Sequence, residues 1–133
     1  SETIYWFCQQ FENIYKSIRI IKLIEVEEDQ IPETLKTVIF RVLQESLNNV
    51  AKHSGADRVQ LSLQQQCDTV KLIVEDNGSG FDSEKPLPQI ATGRGFGLAS
   101  MRERIELSGG TFTIQSALGQ ATRICAEWTI VKG

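Results

Sequence analysis

The sequence has little of the material from which several kinds of site are made. Its 133 residues include one histidine and three widely separated cysteines with no Cys-x-x-Cys spacing. So few histidines and such widely spaced cysteines argue against a disulfide framework or a zinc site. The cysteines are instead expected to be small core or surface residues in a reducing compartment. Apolar runs stay well short of the ~18 residues that a membrane span needs, and no signal-peptide pattern opens the chain.

The sequence also lacks an excess of positive charge. Fourteen lysines and arginines face 17 acidic residues, for a net charge of −3. A chain without a basic footprint is not expected to bind nucleic acid or an anionic membrane surface. The 41% apolar and 23% charged content is ordinary for a globular protein. We predict a single domain over residues 1–133, and the ordinary serine that precedes a helix-like stretch indicates a fragment of something longer.

Hydrophobic periodicity predicts an order of elements along the chain. Three- and four-residue spacing marks helices, and alternation or β-branched runs mark strands. Helices are predicted at 3–16, from just after Pro32 to Gly55, and at 96–107; strands at 19–27, 58–64, 69–75, 111–116 and 123–130. This order favours an α+β fold, a two-layer sandwich with a mixed, mostly antiparallel sheet covered on one face by about three helices.

A first polar cluster lies on the long central helix, in the segment Q-E-S-L-N-N-V-A-K-H-S that spans residues 44–54. At ~100° per residue, Glu45, Asn49 and Lys52 share one side of that helix. A carboxylate, an amide oxygen and an ammonium on one ridge suit a water, a Mg²⁺ ion and a phosphate. The alternative is a solvated flank whose charges pair along the helix.

A second cluster begins where an apolar strand runs into Asp76-Asn77-Gly78-Ser79-Gly80. An aspartate at the end of a buried strand can accept a hydrogen bond from an exocyclic amine, and glycines let a flat ring lie against bare backbone. Asn-Gly is also the commonest hairpin turn, which is the alternative. A hairpin is less favoured here because the chain continues into a loop with Pro86 and Pro88, whereas a hairpin needs a partner strand directly after the turn.

A third cluster is a glycine-rich segment at residues 93–98, Gly-Arg-Gly-Phe-Gly-Leu, which opens a predicted helix. Unpaired amides at a helix N-terminus favour an anion such as a phosphate. The spacing matches neither the Walker pattern nor the dinucleotide G-x-G-x-x-G pattern. Taken alone, the segment is equally consistent with a flexible loop.

In this order, the three motifs resemble those of the ATP-binding domain of two-component sensor histidine kinases, whose Bergerat-type fold is shared with gyrase B, Hsp90 and MutL. The strings Q-E-S-L-N-N-V-A-K-H-S and G-F-G-L-A-S-M-R-E-R are most similar to the nitrate-sensor-like subfamily. The resemblance spans about residues 5–130. It implies a cytoplasmic domain of a bacterial sensor, which itself can be membrane-anchored.

The resemblance assigns roles along the central helix. Glu45 matches the acidic residue near the γ-phosphate, which orients or deprotonates the acceptor. Asn49 matches the asparagine that ligates the Mg²⁺ bound with ATP, and Lys52 matches the basic residue that reaches the phosphates. His53 is read as a helix-end residue near the adenine, not as a phosphoacceptor.

The resemblance also assigns the two loops. Asp76 matches the aspartate that reads the adenine amino group, with Gly78 and Gly80 shaping its pocket. Residues 82–92 match a short ATP lid. Thr122 is placed under the nucleotide, although Ala121 stands where the family commonly has glycine. The loop over the phosphates matches Gly93, Gly95 and Gly97, with Phe96 and Leu98 beside them.

These matches imply a protein-histidine kinase catalytic domain that uses ATP and Mg²⁺. The phosphoacceptor histidine is expected on a dimerisation domain outside this chain, which therefore binds ATP without phosphorylating itself. A response regulator is the implied partner of the whole kinase. Two alternatives remain, another ATPase or serine kinase of the same fold and a degenerate docking module.

Overall fold

A computed structural model describes residues 2–79, 94–117 and 119–130. The elements follow the predicted order. The helices are α1 (Glu2–Ile14), α2 (Glu33–Asn49) and α3 (Arg94–Leu107), and the strands are β1 (Arg19–Glu25), β2 (Arg58–Gln66), β3 (Thr69–Asp76), β4 (Thr111–Gln115) and β5 (Thr122–Thr129). A short 3₁₀ turn at Glu28–Gln30 precedes α2.

The five strands form one sheet in the order β1-β2-β3-β5-β4. The β1–β2 pair is parallel, and the other three pairs are antiparallel. Parallel neighbours need a crossover connection, and α2 supplies it between β1 and β2. The mixed, mostly antiparallel sheet predicted from the sequence is confirmed.

The helices cover one face of this sheet. Alternate strand residues are buried, so that Leu61, Val74 and Ile124 form one buried row across three strands, while their chain neighbours lie on the other face. Each helix adds apolar side chains at three- and four-residue spacing to the same core. The main contributors are Ile4, Cys8 and Phe11 from α1, Ile39, Val42, Leu43 and Leu47 from α2, and Leu98, Met101 and Ile105 from α3.

Two helix ends differ from the prediction. The α-helical part of α2 ends at Asn49, and a π-helical turn over Val50–Ser54 continues it to Gly55. Gly55 has φ of +68°, which ends the helix as expected of a glycine. The wider i→i+5 turn changes the angular spacing between Asn49 and Lys52 from that of a regular α-helix. Helix α3 begins at Arg94, two residues earlier than predicted.

Among the described residues, no helix combines the length and the apolar character needed to cross a membrane. All three cysteines are free; Cys8 is buried, Cys125 is half-buried and Cys67 is exposed. Burial raises the pKa of the Cys8 thiol to about 11, against opposing stabilisation of the thiolate by Lys22.

Candidate functional site

Four polar side chains are buried in the described part of the chain: Ser46, Asn49, Asp76 and Thr122. Asp76 and Thr122 are directly paired across β3 and β5, at the end of the sheet where the apolar rows stop. Asn49 ends the helix that packs over the sheet. Because buried polar groups are costly unless they are partnered, this end of the helix–sheet layer is the place to look for a ligand.

Asn49 has an unpaired polar atom. Its side chain is buried, and its Nδ2 atom has no hydrogen-bond partner among the described residues. An orphaned buried donor costs about 1–3 kcal/mol. The amide group offers both a donor nitrogen and an acceptor oxygen, so the same side chain fits a phosphate oxygen or a Mg²⁺ ion.

Asp76 is the last residue of β3 and only 4% of it is exposed. Its Oδ1 atom accepts a hydrogen bond of 2.8 Å from the backbone N–H of Gly78. This bond folds the chain sharply just after the strand, and the carboxylate stays inside the helix–sheet layer. The structure thus brings the Asp76 carboxylate and the Gly78 amide together, while Gly80 lies outside the described residues.

Asn77 fastens the same loop to β2, a role that the sequence analysis missed. Its Oδ1 atom accepts from the backbone N–H groups of Asp57 and Arg58, at 3.1 and 3.0 Å. Its Nδ2 atom donates to the Asp57 carboxylate at 2.6 Å. The sequence does hold one signal for this role, because an asparagine in a turn commonly bonds to backbone groups. The signal does not identify the partner, since Asp57 lies 20 residues away in the sequence.

A second tie holds the loop on its other side. The backbone N–H of Gly119, in the β4–β5 hairpin, donates to the Ser79 carbonyl oxygen at 2.6 Å. Gly119 has φ of +78°, a conformation that glycine adopts without strain. Next to it, the hydroxyls of Ser116 and Thr122 lie 2.7 Å apart, within hydrogen-bond distance. The segment after Asp76 is therefore held between β2 and the hairpin.

Glu45 lies where α2 meets the first turn of α3. The side chain is exposed, and a Cβ atom added to Gly97 would lie 2.9 Å from its Oε1 atom. The absence of a side chain at Gly97 is what lets the two helices approach beside this carboxylate. Below it, the Ser46 hydroxyl donates to the Val42 carbonyl at 2.8 Å and lies 3.5 Å from the sulfur of Met101.

The remaining predicted residues fall into three groups. Gly95, Phe96 and Gly97 lie in the first turn of α3, whose amides have no partner within the helix and are therefore suited to an anion. Lys52 is exposed on the π-helical turn, and Leu98 is fully buried in the core, so its side chain serves packing. Gly93, the lid at 82–92 and the side chains of His53 and Phe96 lie outside what the structure describes.

Residues 34–131 match the family described as histidine kinase-, DNA gyrase B-, and HSP90-like ATPase. Among curated proteins, the chain is 42% identical over 94 residues to the signal transduction histidine-protein kinase/phosphatase UhpB of Salmonella typhimurium, covering 71% of this chain and 18% of that protein. It is 34% identical over 100 residues to the signal transduction histidine-protein kinase/phosphatase DegS of Bacillus subtilis, and the match covers 75% of this chain and 26% of DegS.

Solved structures show the same fold. The blue-light activated histidine kinase of Erythrobacter litoralis EL346 superposes with a TM-score of 0.77 at 16% identity, covering 96% of this chain and 40% of that one. The histidine kinase AdeS of Acinetobacter baumannii superposes with a TM-score of 0.69 at 18% identity, and the match covers 97% of this chain and 64% of the AdeS chain. The chain spans about a quarter or less of the two curated relatives named above.

Proposed function

Since the chain belongs to the family of histidine kinase-, DNA gyrase B-, and HSP90-like ATPases, we propose that it holds ATP at the polar end of its helix–sheet layer and transfers the γ-phosphoryl group to a histidine on a separate dimerisation domain. The observation that carries the proposal is the buried amide nitrogen of Asn49, which has no partner among the described residues, in the layer that also buries Asp76. Relatives named as histidine kinases support the reaction, and neither alternative from the sequence analysis is favoured.

The adenine would lie against the loop after β3. Asp76 accepts a hydrogen bond from the exocyclic amine, while Gly78 leaves the backbone bare for the ring. The ties from Asn77 to Asp57 and from Ser79 to Gly119 hold this loop before any ligand arrives. A site held in its bound geometry loses less entropy on binding, which favours affinity.

The triphosphate would extend from there toward α2 and α3. Asn49 supplies a donor, the first-turn amides of α3 supply more, and Lys52 reaches in from the π-helical turn. Catalysis of phosphoryl transfer is mostly positioning and electrostatic stabilisation. A nitrogen lone pair of the acceptor imidazole forms the N–P bond as the bond from phosphorus to the bridging oxygen of ADP breaks. Glu45 orients the ring and takes the proton from its other nitrogen.

A Mg²⁺ ion belongs to the same proposal. Within residues 2–79, 94–117 and 119–130, no three His, Cys, Asp or Glu side chains gather to hold a metal by themselves. In this proposal the ion would arrive with the nucleotide, with the Asn49 amide oxygen as its ligand from this chain, and it would neutralise charge on the phosphates. In Asn49→Ala, we expect added Mg²⁺ to strengthen ATP binding less than it does in the unchanged chain.

The wider assignments are part of the proposal too. The chain would be the catalytic part of a cytoplasmic sensor kinase that passes its phosphoryl group to a response regulator. Alone, it would bind ATP without becoming phosphorylated, since its acceptor lies elsewhere. Membership of the nitrate-sensor-like subfamily stays a prediction.

The proposal is tested by calorimetric titration of ATP into the chain and into Asp76→Asn. The amide loses the charged acceptor for the adenine amine, a hydrogen bond worth about 1.5–3 kcal/mol, so affinity should fall roughly ten- to a hundredfold. Asp68→Asn makes the same change on an exposed residue in the turn before β3, and it should bind like the unchanged chain. Equal affinity for all three proteins would rule out the adenine-reading role.

A further inference from the structure

The face of the sheet that the helices cover ends, at the candidate site, in a row of polar side chains. Next to the buried apolar row that crosses β2, β3 and β5, Asp76 is paired with Thr122. Ser116 comes directly after β4, and its hydroxyl lies beside that of Thr122. A carboxylate and two hydroxyl groups therefore lie side by side where the apolar core stops.

The hydroxyl of Thr122 is held by that of Ser116. Thr122 is fully buried, so its hydroxyl cannot turn to solvent. Its Oγ1 atom lies 2.7 Å from Oγ of Ser116, and either atom can be the donor. Because each hydroxyl has one hydrogen and two lone pairs, the choice of donor decides what Thr122 offers on its other side. If Thr122 donates, it offers lone pairs; if Ser116 donates, Thr122 offers its hydrogen.

The charge of Asp76 favours the second arrangement. Residues directly opposite each other in an antiparallel pair have Cβ atoms about 4.5–5.5 Å apart, and an ionised carboxylate only accepts hydrogen bonds. A lone pair turned toward the carboxylate is repelled and a hydrogen is attracted, most strongly where both groups are buried. The Thr122 hydrogen is thus held on the side of Asp76, which makes Ser116 the donor to Thr122.

An acceptor beside a donor matches one edge of adenine. The exocyclic amine of adenine donates hydrogen bonds, and the ring nitrogen N1 next to it accepts one. Guanine has the reverse pattern at the same place, with an acceptor oxygen beside an N1–H donor. A site that hydrogen-bonds its ligand rejects one that leaves its buried polar groups unpaired. The direction of the Thr122 hydroxyl therefore bears on which base is bound.

We propose that Ser116 is a positioning residue for base selection. By donating to Thr122, it turns the Thr122 hydrogen toward N1 of the adenine whose amine Asp76 accepts. This inference rests on the proposed function. The alternative is a structural role, since Ser116 belongs to the β4–β5 hairpin from which Gly119 donates to Ser79. Closing the hairpin would act on all nucleotides alike, whereas orienting Thr122 acts only on a ligand with an acceptor at N1.

The test compares ATP with GTP and with 1-deaza-ATP, an analogue in which N1 is replaced by C–H. Calorimetric titration measures the affinity of each nucleotide for the unchanged chain, Ser116→Ala, Ser116→Thr, Thr122→Val and the double variant Ser116→Ala/Thr122→Val. The matched control is Ser62→Ala. Ser62 is also a half-buried serine, and its hydroxyl donates to the Gln64 side chain at 3.1 Å within β2. Thermal unfolding verifies that each variant is folded.

We expect Ser116→Ala to bind ATP about three- to tenfold more weakly, as for the loss of one hydrogen bond. Its affinities for 1-deaza-ATP and GTP should equal those of the unchanged chain, so that its preference for ATP falls by the same factor. Ser116→Thr should restore ATP affinity, because it keeps the hydroxyl. In the Thr122→Val background, Ser116→Ala should add no further loss, since the two residues act through one hydroxyl.

Two results overturn the role of Ser116. One is an equal loss of affinity for ATP and 1-deaza-ATP in Ser116→Ala, which means that the serine only closes the hairpin. The other is an unchanged ATP affinity in that variant. Both results leave the proposed function standing if Asp76→Asn loses ATP affinity. If Asp76→Asn binds ATP normally, the proposed adenine site fails, and the role of Ser116 fails with it.

Discussion

The Oε1 atom of Glu45 lies 2.9 Å from the point that a Cβ atom on Gly97 would occupy. Gly97→Ala therefore forces the Glu45 carboxylate to move. The change costs little stability, because the exposed side chain of Glu45 can rotate and alanine is a better helix former than glycine by about 1 kcal/mol. We expect an equal or higher unfolding temperature.

The same substitution should lower activity, because a displacement of about 1 Å at a reacting group can reduce a rate up to a hundredfold. The full kinase with Gly97→Ala should autophosphorylate at least tenfold more slowly. The control is the same change in the Glu45→Ala background, where no carboxylate remains to be displaced. Equal slowing in both backgrounds would show that the methyl group acts on something other than Glu45.

The hydrogen bonds from Asn77 to Asp57 and Arg58 are expected to contribute both to the stability of the fold and to nucleotide affinity. Asn77→Ala removes two accepted hydrogen bonds and one donated to Asp57. Because these bonds lie at the surface, the loss should be about 1–2 kcal/mol of unfolding free energy. ATP should also bind more weakly, since the loop beside Asp76 is no longer held before binding. Urea unfolding and ATP titration measure the two effects.

Asn13→Ala is the matched control for Asn77, because Asn13 is exposed on α1. It should change neither quantity. A normal ATP affinity in Asn77→Ala, together with reduced stability, would mean that the tie serves the fold alone.

Gly110 is packed against a buried tryptophan. A Cβ atom there would lie 2.5 Å from Nε1 and 2.7 Å from Cδ1 of Trp128, whose Nε1 donates to Ser108 at 2.8 Å. The indole is buried and cannot swing away, so Gly110→Ala should lower the unfolding free energy by about 1–3 kcal/mol. Ser108→Ala removes the acceptor of the Trp128 N–H without adding a clash, so its cost in the same urea titration measures the hydrogen-bond part of the loss alone. A Gly110→Ala chain as stable as the unchanged one would contradict this packing.

The Cys8 thiol should make stability fall at high pH. Burial raises its pKa from 9.0 to about 11 in the folded chain, and Glu12 adds to the rise while Lys22 opposes it. The folded state then holds this proton more tightly than the unfolded state does. The stabilisation is complete below pH 9 and is lost as the pH rises toward 11.

Cys8→Ala isolates this contribution from other groups that titrate in the same range. The difference in unfolding free energy between the unchanged chain and Cys8→Ala should be larger at pH 8 than at pH 10.5. A difference that stays constant over this range would mean that the thiol does not titrate as its burial requires.

The ends of the elements at the candidate site were predictable because their signals are local. The switch from an apolar strand to Asp76-Asn77-Gly78 located the end of β3 to within one residue, and the glycine-rich segment located the start of α3 to within two residues. Both signals depend on backbone preferences over a few residues. Leu98 shows the limit of this reasoning, since its place beside the glycines did not reveal that its side chain is fully buried in the core.

The sequence by itself determined the order of the elements, the mixed sheet under one layer of helices, and the residue types at the polar end of that layer. These follow from periods of 3.6 and 2 and from turn chemistry, which the backbone imposes locally. Helical spacing placed Asn49, and not its neighbour Asn48, on the side of the helix that carries Glu45. Packing adds what the spacing could not give, because α2 buries Asn49 with its amide nitrogen unpaired and leaves Asn48 exposed.

Tertiary structure also decided which distant residues meet. Asn77 bonds to Asp57, and Asp76 lies opposite Thr122 although α3 and β4 separate their strands in the sequence. No local period encodes such pairs, because they depend on which strands lie side by side in the sheet and on how the helices pack over it. The single histidine and the scarce cysteines excluded other kinds of site, and the fold then brought the remaining polar residues together.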